Sequence, residues 1–196
     1  MIELIAPFRL AEAKDAPALA ELVNFAGEGL PLYLWDRLKQ PGQTAWDVGL
    51  ERARREKSGF SYRNAVVAEI DGKCAACLIG YPQPEHPEPI DYAAMPPIFV
   101  PLQELENLAP NSWYVNVLAA YPDFRGQGLG TKLLAIADEL ADATGKSGLS
   151  LIMSDANEGA RRLYERRGYR EAGARPMVKE DWENQGRNWI LLTKPL

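Results

Sequence analysis

The chain has 196 residues, 46% of them hydrophobic, and a formal net charge of −5. That length suits a single domain with a real core, and the acidic balance argues against nucleic-acid binding, which draws on a basic face. Modest negative charge fits either a cationic acceptor, such as an amine, or plain solubility. The start, Met1-Ile2-Glu3-Leu4-Ile5, lacks the basic segment and long apolar core of a signal peptide. No stretch reaches the ~20 apolar residues of a membrane span. A cytoplasmic protein with no membrane or nucleic-acid partner is therefore expected.

In chain order, Phe8-Arg9-Leu10-Ala11 reads as a short strand. Asp15 is a candidate N-cap, with Pro17 tolerated in the first turn. Leu19, Leu22, Val23 and Ala26 make one helical face, which Gly27-Glu28-Gly29-Leu30-Pro31 breaks. Thr44-Ala45-Trp46-Asp47 has the form of a capping box with Asp for Glu, opening a helix to about Lys57. Asn64–Ile70 and Lys73–Gly80 read as strands joined by Asp71-Gly72, a strong two-residue hairpin signal. Within the second strand Cys74-x-x-Cys77 puts its thiols on opposite faces. With one histidine in the chain and no second such pair, two strand cysteines are the simpler reading, and no metal is expected.

Residues 81–111 hold eight of the 15 prolines. Loops beyond ~12–15 residues are usually functional or disordered, and Ile98, Phe99, Val100 and Leu102 speak against disorder. A short helix is expected over Leu102–Glu106. This insertion folds over an acceptor site or is a surface excursion or dimer contact; the residues alone leave both open.

An apolar run, Tyr114–Ala120, then leads through Tyr121-Pro122-Asp123-Phe124 into Arg125-Gly126-Gln127-Gly128-Leu129-Gly130-Thr131. Leu129, Leu133, Ile136, Ala137 and Leu140 follow on one helical face. Strand, glycine-rich turn and helix start make an anion site, because the first helical N–H groups are unpaired and carry the positive end of the macrodipole. The spacing is one residue too tight for the dinucleotide fingerprint, and Gly145-Lys146-Ser147 ends a helix where a Walker A lysine would begin one. A second strand, Leu149–Met153, precedes Asn157-Glu158-Gly159-Ala160-Arg161-Arg162-Leu163-Tyr164-Glu165-Arg166-Arg167-Gly168-Tyr169. Tyr169–Ala174 and Trp189–Thr193 close the chain as strands.

Two blocks in this order, R-x-x-G-x-G at Arg125, Gly128 and Gly130 and N-x-x-A-x-x-L-Y-E-x-x-G-[FY] from Asn157, resemble the GNAT superfamily of acetyl-CoA-dependent N-acetyltransferases. The close resemblance covers Trp113 to Gly173. It implies an α/β (α+β) fold: a central mixed, mostly antiparallel sheet with splayed strands, flanked by helices, over one domain of residues 1–196. It implies acetyl-CoA as cofactor and direct transfer to a primary amine of a small molecule or peptide in a ternary complex. The alternative is a non-catalytic acyl-CoA sensor or interaction module on the same fold. A homodimer is common in the family, though nothing in this sequence specifies one.

By the same resemblance, the backbone N–H groups of Arg125, Gly126, Gln127, Gly128, Leu129 and Gly130 hold the pyrophosphate, and the Thr131 hydroxyl adds a bond. Arg125 reaches phosphate or braces the turn. Leu118, Ala119 and Ala120 pair with the pantetheine arm through backbone atoms, Asn157 contacts its amides or caps the helix (Asp155 competes for that cap), and Tyr164 gives a proton to the departing thiolate. A phenol of pKa ~10 suits that task for a thiol of pKa ~8.5. Many relatives carry a glutamate early in the strand before the turn; Trp113-Tyr114-Val115-Asn116 has no carboxylate. Glu28, Glu104, Glu106 or a water chain are the candidates for a base, with Tyr33, Tyr81 and Tyr114 available as aromatics; His86, a lone loop histidine, reads as exposed and idle, and no base is assigned. The basic run Arg161, Arg162, Arg166, Arg167 and Arg170 reads as a helix face balanced by Glu158 and Glu165, or as a contact for the 3′-phosphate of CoA.

Overall fold

A computed structural model describes residues 2–196. Seven strands take the order β1-β2-β3-β4-β5-β7-β6, with helices between them. The chain forms two compact units: Met1–Tyr81 with Asn116–Leu134, and Pro82–Val115 with Ala135–Leu196. β4 (Ser112–Ala120) and α5 (Leu129–Ala143) each contribute to both.

The first unit is a sheet under three helices. β1 (Phe8–Leu10) pairs antiparallel with β2 (Ala65–Ile70), and β2 with β3 (Lys73–Pro82). Asp71 and Gly72, at φ 50° and 72°, make the expected tight hairpin, since both central residues of such a turn need positive φ. α1 (Ala16–Ala26) buries Leu19, Leu22 and Val23, with Pro17 in its first turn. Asp15 stands at the N-cap position but does not cap. Its carboxylate receives Arg9 Nη1 and Nη2 at 2.7 and 2.9 Å and the Glu12 N–H at 2.8 Å. A guanidinium fork is the stronger partner.

Where a simple break was expected, a second helix forms. Glu28 (φ 52°) and Gly29 (φ 87°) turn the chain, and α2 (Leu30–Leu38) starts at once. Asn24 makes this possible: its Oδ1 accepts the Leu32 N–H at 3.1 Å, satisfying one of the donors that open a helix. α3 (Ala45–Ala53) has the expected capping box, with Asp47 N–H to Thr44 Oγ1 at 3.2 Å and Thr44 N–H to Asp47 Oδ2 at 2.8 Å. It ends four residues before Lys57. Trp35 of α2 stacks on Phe60 and lies edge-on to Trp46. Gly49 of α3 lets that ring in, because a Cβ there would stand 2.4 Å from Trp35. The helices close over Ala65, Val67, Cys77, Ile79 and Val117 of the sheet. Each fully buried leucine here contributes roughly 1.5–3 kcal/mol over exposure. Cys77 is buried in this core and Cys74 half-buried; both are free thiols, as strand alternation implies.

In the second unit, β4 begins parallel to β5 (Gly148–Ser154), pairing Ser112–Tyr114 with Gly148–Ser150. A buried hydrogen bond of 2.7 Å between the Ser112 and Ser150 hydroxyls fixes that register. β7 (Asn188–Pro195) lies antiparallel between β5 and β6 (Arg170–Pro176). Asp138 of α5 bonds Arg167 Nη2 at 3.0 Å and Lys194 Nζ at 2.6 Å, tying α5 to the chain after α6 (Glu158–Arg166) and to β7. The expected short helix in the insertion is α4 (Val100–Glu106), preceded by a 3₁₀ turn at Pro97–Phe99. Among the described residues no helix is long and apolar enough to cross a membrane.

Candidate functional site

The glycine-rich turn lies in the first unit. β4 leads into it with Val117, Ala119 and Tyr121 packed against the core under α1, so Leu118 and Ala120 alternate to the opposite face. The Tyr121 N–H still bonds the Ala75 carbonyl of β3 at 3.0 Å. The Tyr121 hydroxyl donates to Glu21 Oε2 at 2.6 Å, and its ring meets Phe25 edge-on. Burial and then Glu21 push this phenol up, so it holds its proton. The strand end is thus anchored on both sides.

A short 3₁₀ turn, Pro122–Phe124, follows, and then the loop opens to solvent. Gly126 and Gly128 sit at φ 75° and 78°. Left-handed residues placed among extended or right-handed ones swing successive N–H groups to one side, forming an anion-binding concavity. A Cβ built on either glycine meets nothing within 4 Å. The cradle is therefore open, and glycine is needed there for its backbone angle and for close approach, not for want of room. The helical ladder begins with the Lys132 N–H on the Gly128 carbonyl at 3.1 Å. The N–H groups of Leu129, Gly130 and Thr131 precede it and carry the positive end of α5. Leu129 itself is buried and seats the helix start.

Arg125 braces the turn: its Nε donates to the Ala120 carbonyl at 3.1 Å. Gln127 does likewise, with Nε2 on the Asp123 carbonyl at 3.3 Å. Both side chains are exposed, as is Thr131. The bracing role that the sequence left open for Arg125 is present.

Asn157 and Tyr164 lie in the second unit. Asn157 is the N-cap of α6, its Oδ1 accepting the Ala160 N–H at 3.1 Å. Asp155 does not compete for this cap. It takes the N–H groups of Arg187 and Asn188 at 2.8 and 3.0 Å and so ties the end of β5 to the start of β7. Tyr164 is buried on α6, its ring centroid 5.8 Å from that of Tyr169. Burial pushes its phenol up to about 12, so it is a neutral proton carrier throughout the ordinary pH range. The basic run resolves mostly into pairs: Arg161 with Glu165 and Glu171, Arg162 with Glu158, Arg167 with Asp138. That fits the solvated-face reading for Arg161 and Arg162, whereas Arg167 lies after α6, half-buried, and ties it to α5.

The carboxylates proposed as a base separate clearly. Glu104 is held by Arg175, Nε to Oε2 at 2.7 Å. Glu106 is partly buried; desolvation raises its carboxyl against a hydrogen bond of 3.0 Å from Gln83 Nε2. Glu28 sits in the left-handed turn between α1 and α2. Sequence reasoning missed Asn24 and the Glu104–Arg175 pair. An asparagine in the last helical turn before Gly-x-Gly was a usable sign for the first; the second depends on tertiary packing and had none.

The model of the acetyltransferase (GNAT) family matches residues 32–169. Among solved structures, a crystal structure of an acetyltransferase is similar at TM-score 0.66 and 24% identity, covering 96% of this chain and 98% of that one. An N-acetyltransferase from Staphylococcus aureus Mu50 is similar at TM-score 0.62 and 21% identity, over 95% and 98%. A GNAT family acetyltransferase from Elizabethkingia anophelis, solved with acetyl-CoA bound, is similar at TM-score 0.50 and 20% identity, over 67% and 75%. No curated protein matches the chain.

Proposed function

Because the chain belongs to the acetyltransferase (GNAT) family, we propose that it transfers the acetyl group of acetyl-CoA to a primary amine of a small molecule or peptide. The observation that carries this reading is the cradle at Gly126 and Gly128, open to a ligand and set directly ahead of the N-terminus of α5. Bound acetyl-CoA supplies an acyl group activated as a thioester.

The N–H groups from Gly126 to Gly130, with the Thr131 hydroxyl, hold the pyrophosphate, where aligned donors and the helix dipole favour negative charge; the Arg125 N–H expected to join them is taken by the Pro122 carbonyl at 3.1 Å. Arg125, already fixed on Ala120, adds a charged donor at the rim. The backbone of Leu118, Ala119 and Ala120 takes the pantetheine arm as an added strand and presents an N–H to the thioester oxygen. Asn157 completes the grip on the pantetheine amides while capping α6. Transfer forms an N–C bond and breaks the C–S bond. Tyr164 delivers its proton to the departing sulfur, the amine loses its own to water or a carboxylate, and the tyrosinate takes a proton back from solvent. Burial keeps the phenol protonated in the ground state but also makes it a weaker acid, so it gives up its proton only to a sulfur on which charge has built up.

The absence of a carboxylate at Trp113–Asn116 favours one other reading, a non-catalytic acyl-CoA-binding module. Calorimetric titration with acetyl-CoA, CoA, NAD and ATP tests the shared premise. Binding of acetyl-CoA and CoA alone is expected; preference for NAD or ATP overturns both readings.

A further inference from the structure

The proline-rich insertion is pinned to the sheet, not loose. Asn107 clasps Glu88 twice, accepting its N–H at 3.0 Å and donating Nδ2 to its carbonyl at 2.8 Å. α4 presses on β6 at Gly173, where a Cβ would stand 2.9 Å from Leu108 and 3.4 Å from Leu105. Between the insertion and the end of β6 lies a cavity of about 340 Å³, near the lower bound for small-molecule sites. Met95 and Val100 wall it on one side and Pro176 and Val178 on the other, with Tyr92 lining it as well. Its charged residues are Glu104 and Arg175, which neutralise each other at 2.7 Å; the Tyr92 hydroxyl adds a bond of 3.3 Å to Glu104.

The register of the second unit locates this cavity. Pro176 lies opposite Asn188, whose N–H bonds Asp155 Oδ2 at 3.0 Å, two residues before the Asn157 cap of α6. The cavity therefore sits at the end of the strands that leads into α6. Gly173 and Arg175 point toward α4, while Lys194 of β7, on the alternate phase, reaches Asp138 of α5. The cavity lies beside α4, where Arg175 meets Glu104.

We propose that this cavity is an acceptor subsite, seating an uncharged apolar group, aromatic or branched aliphatic, carried by the amine. The proposal rests on the acetyl-transfer reading. The chemistry selects that occupant: the walls are apolar, and the two border charges cancel, so a charged group would be desolvated without a partner. Proline walls are stiff, so little ordering is lost on binding. Polycationic and small polar amines gain nothing from such a site.

Phenylalaninamide and glycinamide, compared as acceptors, provide the test. The native protein should favour phenylalaninamide by about tenfold or more in kcat/KM, expressed in KM. Val178→Trp, which fills the cavity from an exposed wall position, should raise KM for phenylalaninamide about tenfold and leave glycinamide and acetyl-CoA unchanged. Met95→Trp, from the opposite wall, serves as a second variant should the first fold poorly. Equal use of the two amines, or equal loss for both in the variants, overturns the proposal. Calorimetry of phenylalaninamide against native and Val178→Trp protein keeps the two readings distinct. Binding lost on filling, with no turnover of any amine, retains the cavity as a ligand site and refutes acetyl transfer. Turnover of amines with no phenylalaninamide binding refutes the subsite alone.

Discussion

Gly128→Ala separates what the cradle does for the fold from what it does for a ligand. At φ 78° alanine pays a left-handed penalty of about 1–2 kcal/mol. No neighbour adds to that cost, because the new Cβ has nothing within 4 Å. For a domain of this size, each kcal/mol moves Tm by roughly 2–4 °C, so the fall should be about 2–8 °C. Gly42→Ala is a matched control: φ is 87°, its Cβ also meets nothing within 4 Å, and it lies in the turn between α2 and α3. The two variants should therefore melt alike and bind differently. In Gly128→Ala the methyl occupies the mouth of the cradle. Loss of a single charge-assisted bond from a backbone N–H, about 1.5–3 kcal/mol, weakens CoA binding roughly tenfold to a hundredfold. Differential scanning calorimetry and CoA titration of both variants read the two effects separately. Equal CoA affinity in Gly128→Ala, Gly42→Ala and native protein would refute the pyrophosphate cradle.

Three further perturbations follow from the same geometry. Tyr164→Phe should lower turnover about a hundredfold or more while CoA affinity holds; stopped-flow turnover within twofold of native would remove Tyr164 from the chemistry. The same variant has a signature in alkaline stability. Because burial raises the Tyr164 phenol to about 12 in the folded chain, native protein retains a proton that the unfolded chain loses near the ordinary phenol value of about 10. Stability should therefore fall as pH rises between those values, and Tyr164→Phe should show a shallower fall in Tm over that window. Arg9→Ala leaves the Asp15 carboxylate buried without its guanidinium, a loss of about 3 kcal/mol by urea denaturation. Gly49→Ala drives a methyl into Trp35 and should cost about 1–3 kcal/mol, with a shift in tryptophan emission; an unchanged spectrum and midpoint would contradict the packing described.

Local physics made part of this molecule legible from sequence. The Asp71-Gly72 hairpin and the Thr44–Asp47 capping box each depend on residues a few positions apart, and both are present. The turn before α5 was legible for the same reason: positive φ at Gly126 and Gly128 is a demand only glycine meets without strain. α2 was not, because Gly-x-Gly followed by proline reads as a stop. The restart depends on Asn24, eight residues before the N–H it accepts. Asp15 was misread as a cap because Arg9 and the Glu12 N–H compete for the same carboxylate. The insertion was harder still. Its prolines suggested a loop, whereas its place on β6 is set by the missing side chain of Gly173 under Leu108, a long-range fit that no local pattern encodes.

Release of free CoA thiol from acetyl-CoA, measured with and without an amine panel that includes phenylalaninamide and glycinamide, tests the proposed activity most directly. Acetyl transfer predicts amine-dependent release in the native protein, an acetylated amine by mass spectrometry, and a large loss in Tyr164→Phe with CoA binding kept. Tight CoA binding with no amine-dependent release in the native protein would contradict the enzyme and leave an acyl-CoA-binding module on this fold.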